Sequence, residues 1–195
     1  MTKTEITRAD IMAMDDYALV RLDRRRAIGE LKRPRRVALG PDAAFYFECF
    51  ETMWHQVHEM LFIEKGGEAQ IGDELAAYNP LIPNGRELVA TLMFEIDNAE
   101  RRGAFLAGLG GVEETVSLSF AGETIQAIPE ADVDRTTADG KASSIQFLHF
   151  PFTDAQAKKF KTPGTQATLA VGHPKYPHMT ILPEAARVSL AGDFS

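Results

Sequence analysis

Residues 87–96 read ELVATLMFEI, and this stretch decides the fold class. Leu88, Ala90, Leu92, Phe94 and Ile96 alternate with Glu87, Val89, Thr91, Met93 and Glu95. One face is wholly apolar and the other carries charge at both ends. That is the period-2 pattern of a half-buried strand in a largely antiparallel sheet. Ser143 to Phe152 is a second strong strand. The two segments are expected in one sheet, with Leu88, Leu92 and Phe94 buried.

Working outward, the pattern changes period. Phe50, Trp54, Val57 and Leu61 recur at helical spacing, which predicts a helix over about 51–65 closed by Gly66-Gly67. A second helix is expected over about 68–78, with Ile71, Leu75 and Tyr78 at the same spacing. Upstream, Thr7 and Asp10 form a capping-box pattern. Asp15 or Asp16 then opens a longer helix to about Lys32, with a weak stripe of Tyr17, Val20, Ala27 and Leu31. Val37–Leu39 and Ala44–Phe50 read as extended. Downstream, Asp97-Asn98 caps a helix that ends by Gly110-Gly111. Val116–Phe120 leads through Ala121-Gly122 into a hairpin. Ala131 to Lys141 is polar and reads as a surface loop. Thr153-Asp154 opens a helix to about Lys161, Ala167–Val171 is a strand, HPKYPH (173–178) is a stiff turn, and Glu184–Leu190 closes the chain as a helix. Strands and helices mix without the alternation of a parallel doubly wound fold. The expectation is a single α+β domain over residues 1–195, with an antiparallel or mixed sheet covered by helices.

Composition sets the class. The chain has 195 residues, 45% hydrophobic and 25% charged, an ordinary globular balance. Cys49 is the only cysteine, so an intramolecular disulfide and a CxxC metal or redox motif are both excluded. In its aromatic surroundings it reads as a buried, inert thiol. The opening MTKTEITRAD has no apolar core behind its first lysine, so no signal peptide is expected. No apolar run has the length to cross a bilayer. A cytoplasmic location, no membrane partner and an open question of oligomeric state follow as expectations.

Charge is uneven. Residues 1–40 hold ten Lys/Arg against six Asp/Glu, which leaves −11 for the remainder of a chain whose net charge is −7. Arg24, Arg25, Arg26, Lys32, Arg33, Arg35 and Arg36 face only Glu30 in their own segment. That run is either a solvated helix face or a docking patch for an acidic partner or a phosphate-bearing ligand. A nucleic-acid partner is not expected, because the rest of the surface repels it and no aromatic within 24–36 can stack on a base.

No GxxxxGK[ST] loop, GxGxxG or GxSxG elbow is present. The most suggestive cluster lies on the 51–65 helix. Glu51, His55 and Glu59 are spaced i, i+4, i+8, with His58 beside them, on a stripe expected opposite Trp54, Val57 and Leu61. Imidazole and carboxylate suit a divalent metal such as zinc or non-haem iron. One helix supplies two or three ligands at most, so His173 or His178 of the stiff turn would complete the set. The bland alternative is a solvated, i,i+4-paired face, since HQVHE matches no established ligand motif. His149, on a strand face with Ile145 and Phe147, reads as a hydrogen-bonded core residue. A rival reading is an enzyme or sensor with a pocket between sheet and helices, lined by His149, Tyr176 and an arginine.

Four segments carry a resemblance: RRVALGPDAAFYFECFETMWHQVHEMLFIEKGG (35–67), ELAAYNPLIPNGRELVATLMFEI (74–96), DRTTADGKASSIQFLHF (134–150) and GHPKYPHM (172–179). In order and together, they resemble the bacterial family catalogued as domain of unknown function 3501, across about residues 7–182. The resemblance implies no catalytic residue. It does imply a redox or oxidative-stress setting, with rubrerythrin-like proteins and iron–sulfur oxidoreductase subunits as partners. The expectation is therefore an accessory, partner-binding protein with a metal on the Glu/His helix face. A Cys-ligated iron–sulfur cluster within the chain is excluded by the lone cysteine.

Overall fold

The computed structural model describes residues 3–131 and 140–195; most of the polar loop expected over 131–141 lies outside them. The helices are α1 (Met14–Lys32), α2 (Phe50–Glu64), α3 (Glu68–Tyr78), α4 (Ala99–Leu106), α5 (Asp154–Lys161) and α6 (Glu184–Ala191). The strands are β1 (Arg36–Leu39), β2 (Ala43–Phe47), β3 (Glu87–Phe94), β4 (Val116–Phe120), β5 (Glu123–Gln126), β6 (Ile128–Pro129), β7 (Ile145–Pro151), β8 (Ala167–Val171) and β9 (His178–Ile181). The α+β class is as the sequence reads. The strands form two antiparallel sheets, however, in the orders β1-β2-β3-β7-β6 and β5-β4-β8-β9.

β3 and β7 pair directly, with Leu88 opposite Phe150 and Ala90 opposite Leu148. The apolar face of this sheet shares one core with the second sheet. Phe45, Leu88, Leu92 and Phe150 cluster there with Leu118, Leu169, Phe160 and Leu190. The other face is covered too. Val89 and Phe147 pack against Met53, Val57, Leu61 and Ile71 of α2 and α3. β3 is therefore buried on both faces, where its alternation predicts one. Thr91 is the reason its polar side passed for solvent-facing: its hydroxyl donates to Glu48 at 2.8 Å, so a polar residue sits buried without penalty.

Local chemistry sets the ends. Lys65 takes the left-handed conformation (φ 57°) and closes α2, one residue before the glycine pair expected to do so. Ala121 and Gly122 both have positive φ, 46° and 78°, as a tight two-residue hairpin between β4 and β5 requires. The segment before α1 is strapped across α2 and α3. Asn79 accepts from the Ile6 N–H and donates to its carbonyl, and Ile6 is buried. Near the C-terminus, Asp193 forms a buried ion pair with Arg35, which also donates to the Phe47 and Glu48 carbonyls. No helix of the described residues is long and apolar enough to cross a membrane.

Candidate functional site

The side chains singled out on α2 meet α1. Helix α1 runs antiparallel to α2, with Met14 near Leu61 at one end and Leu31 near Phe50 at the other. Tyr17 and Arg21 stand one turn apart on α1, and His55 and Glu59 stand one turn apart on α2. The two pairs interlock. Arg21 grips Glu59 with two bonds of 2.8 Å, and the Tyr17 hydroxyl donates to the same carboxylate at 2.9 Å. That proton being committed, His55 Nδ1–H donates to the Tyr17 oxygen, 3.1 Å away. The Arg21 guanidinium holds the Glu59 carboxyl down to about 2, with the Tyr17 hydroxyl adding to it. Burial lowers His55, and the nearby cations Lys32, Arg25 and Arg21 act in the same direction.

His58 is fully buried and uses both ring nitrogens. Nδ1–H donates to the Trp54 carbonyl at 2.7 Å, and Nε2 accepts from the Met12 N–H at 3.1 Å. Trp54 stacks on the imidazole, with centroids 3.7 Å apart, and donates its indole N–H to the Asp10 carbonyl. His58 and Trp54 thus fix the chain as it enters α1. Burial holds His58 below the ordinary histidine range, and the accepting role of Nε2 requires the neutral ring. The stripe of His55, His58 and Glu59 is consequently not a solvated face. It is the polar seam between two helices. Glu51 is exposed and outside that network.

His173 and His178 lie elsewhere. In the HPKYPH turn the buried Tyr176 hydroxyl donates to the Leu39 carbonyl at 2.6 Å and accepts from the Asp42 N–H at 3.1 Å. It thereby latches the β1–β2 turn. Gly40 there has φ +64°, and a Cβ on it would fall 2.5 Å from the His178 ring. His178 stacks on Tyr176, and His173 Nδ1 accepts from the Lys175 N–H. Of the six expected ligands, only His55, His58 and Glu59 are brought together at the seam. Among the described residues, no group of three or more His, Cys, Asp or Glu side chains is placed to hold a metal ion.

A cavity of about 470 Å³ lies between the outer face of the β1-β2-β3-β7-β6 sheet and α2 and α3. Tyr46, Thr91 and Phe147, neighbours across three strands, form one row of its floor. Met53, Gln56 and Tyr78 roof it, Glu48 lies within, and Lys32 stands at its edge. His149 and Tyr176 are not among its walls. His149 instead bridges two carboxylates, Glu87 and Glu130, at 3.1 Å each. Cys49 is buried, and burial pushes its thiol up to about 11, so it is no nucleophile at neutral pH.

The basic run divides in two. Arg35 is consumed by Asp193, and Arg36 by Tyr46 and Glu95. Arg24, Arg25 and Arg26 of α1 stay outward. Arg24 lies over the Trp54 ring, 5.0 Å from its centroid. Among the described residues, no carboxylate is within ion-pair reach of Arg24, Arg25 or Lys32. Beside Arg24, a groove of about 350 Å³ runs between Ala27, Ile28 and Leu31 of α1 and Phe50 and Trp54 of α2. Sequence spacing could have signalled the seam, because Tyr17/Arg21 and His55/Glu59 share the i,i+4 step. Nothing local in sequence places Glu48 in a cavity.

The profile of a family described as "Protein of unknown function (DUF3501)" matches residues 5–194. A crystal structure of a novel protein of unknown function from Burkholderia pseudomallei is 36% identical, with a TM-score of 0.90 over 100% of both chains. A search of curated proteins returned no match.

Proposed function

The chain belongs to the DUF3501 family of proteins of unknown function, and from that premise we propose that it is an accessory protein that docks a partner on the α1–α2 face. One observation carries the reading. Of the nineteen residues of α1, Tyr17 alone is buried, so Ala27, Ile28 and Leu31 stay open to the groove they share with Phe50 and Trp54. A helix this lightly packed is costly to keep folded on propensity alone, so its free faces invite a second surface. The occupant that fits is an acidic segment of a partner protein with one or two apolar anchors. Its anchors enter the groove between Leu31 and Trp54, and its carboxylates meet Arg24, Arg25 and Lys32. Charge would steer the encounter and set its orientation more than its strength.

Trp54 is the only tryptophan, so its emission reads the groove directly. The test titrates the full chain with a synthetic helical Leu/Glu peptide and with its Leu/Lys counterpart. The acidic peptide should change Trp54 emission saturably, and binding should weaken as salt passes about 0.15 M, where screening acts over roughly 8 Å. An Arg24→Glu/Arg25→Glu variant should fold normally and lose the acidic peptide. Equal binding of the lysine peptide, or retention by the reversed variant, would sink the reading. Sedimentation of the chain alone identifies the other occupant, a second copy of itself: concentration-dependent dimerisation that blocks the peptide overturns the proposal of a foreign partner.

A further inference from the structure

Glu48 is 5% exposed, and its carboxylate faces the sheet–helix cavity. Its two oxygens accept from neutral donors, the Thr91 hydroxyl at 2.8 Å and the Thr52 hydroxyl at 2.7 Å. Among the described residues no cation lies within ion-pair reach of it, because the nearby Arg35 is committed to Asp193. A carboxylate withdrawn from water is costly unless a positive charge meets it, and two hydroxyls leave half its acceptor sites open. The space it faces is lined by three aromatic rings, Tyr46, Tyr78 and Phe147. Tyr46 is held in place through its hydroxyl by Arg36 and Glu95. Aromatic faces around a buried carboxylate attract an ammonium group on an apolar body, and about 470 Å³ accommodates a small organic molecule.

We propose that this cavity binds a small organic ammonium compound, with Glu48 as its counter-ion and the Tyr46, Tyr78 and Phe147 rings around its cationic end. The site shares only Lys32 with the docking face and does not depend on it. Lys32 at the edge is the internal competitor for Glu48, so removing its charge leaves amine binding unchanged or tighter.

The probes are 4-phenylbutylamine, the matched 5-phenylpentanoate and the neutral 4-phenylbutanol, each titrated calorimetrically against the full chain. The amine should bind saturably and at least ten-fold more tightly than the acid or the alcohol. Glu48→Gln should lose that preference, and Met93→Trp, which fills the cavity without touching the carboxylate, should lose all three probes. If Glu48→Gln does not fold, Met93→Trp and Lys32→Met still decide. Tighter binding of the acid, an amine that binds Met93→Trp unchanged, weaker amine binding by Lys32→Met, or no amine binding by the native chain would each overturn the proposal.

Discussion

Strand β3 and helix α1 stand at opposite extremes of one molecule. Six of the eight residues of β3 are buried, and its neighbours on both sides are strands. Helix α1 fully buries only Tyr17, half-buries Met14, and is otherwise held by polar bonds and cation–π contacts to α2. Apolar burial is non-directional and cumulative, at about 25 cal/mol per Å² removed from water. Exposed or half-buried polar pairs contribute far less. The difference separates the part that holds the fold from the part that the fold presents. On that ground β3 is expected to open only with global unfolding, and α1 to open locally.

The largest effect should come from inverting burial on the two elements. Leu92, fully buried, changed to Asp places an unpaired charge in the shared core and should cost several kcal/mol, enough to prevent folding. Leu92→Ala should cost about 2–5 kcal/mol. Leu22→Asp on α1 should stay within about 0.5 kcal/mol. Denaturant melts of the three variants check this, and comparable losses at Leu92 and Leu22 would erase the distinction between the two regions.

A smaller effect should follow from cutting the seam. Tyr17→Phe removes the hydroxyl that His55 and Glu59 share, and Glu59→Gln weakens the grip of Arg21. Each should cost about 1–3 kcal/mol, felt locally. Hydrogen exchange should quicken along α1 while the amides of β3 keep their protection. Loss of protection in β3 to the same degree would show that α1 is part of the cooperative core after all.

The same contrast explains what was legible in the sequence. β3 and β7 announced themselves because alternation at period 2 is a local record of a sheet face. So did α2, through Val57 and Leu61. The second buried face of β3 did not, because it depends on Glu48, a charged residue 43 positions away that satisfies Thr91. The HPKYPH segment does turn, ahead of β9, but its target, the Leu39 carbonyl, is 137 residues distant. His55, His58 and Glu59 stand out in the sequence as a set, but not their partners. Their residue types suit ligands and helix seams equally, and the deciding partners, Tyr17, Arg21 and Met12, sit on another segment.

The smallest expected effect is one of sign, and it divides the histidines. His58 is neutral and buried, held below its ordinary value by desolvation. Its contribution to stability is therefore present above the unfolded value of about 6.5 and lost as pH falls through its lower folded value. His149 is the reverse. It touches Glu87 through Nδ1 and Glu130 through Nε2, and only the imidazolium can donate to both carboxylates. The bond to Glu87 raises it most, against desolvation, and Glu130 adds to the rise. Its contribution is full below about 6.5 and lost as pH rises through the raised folded value. Proton-detected histidine titration should place His149 above 6.5 and His58 below. Glu87→Gln should lower the His149 midpoint more than Glu130→Gln does. As pH drops from 7 towards 5, protection factors, taken relative to the intrinsic exchange rate at each pH, should fall in α1, whose entry His58 secures, and hold or rise in the β6–β7 pairing beside His149. Parallel behaviour of the two histidines, with both regions loosening together, would mean that the seam and the sheet respond to protons as one unit.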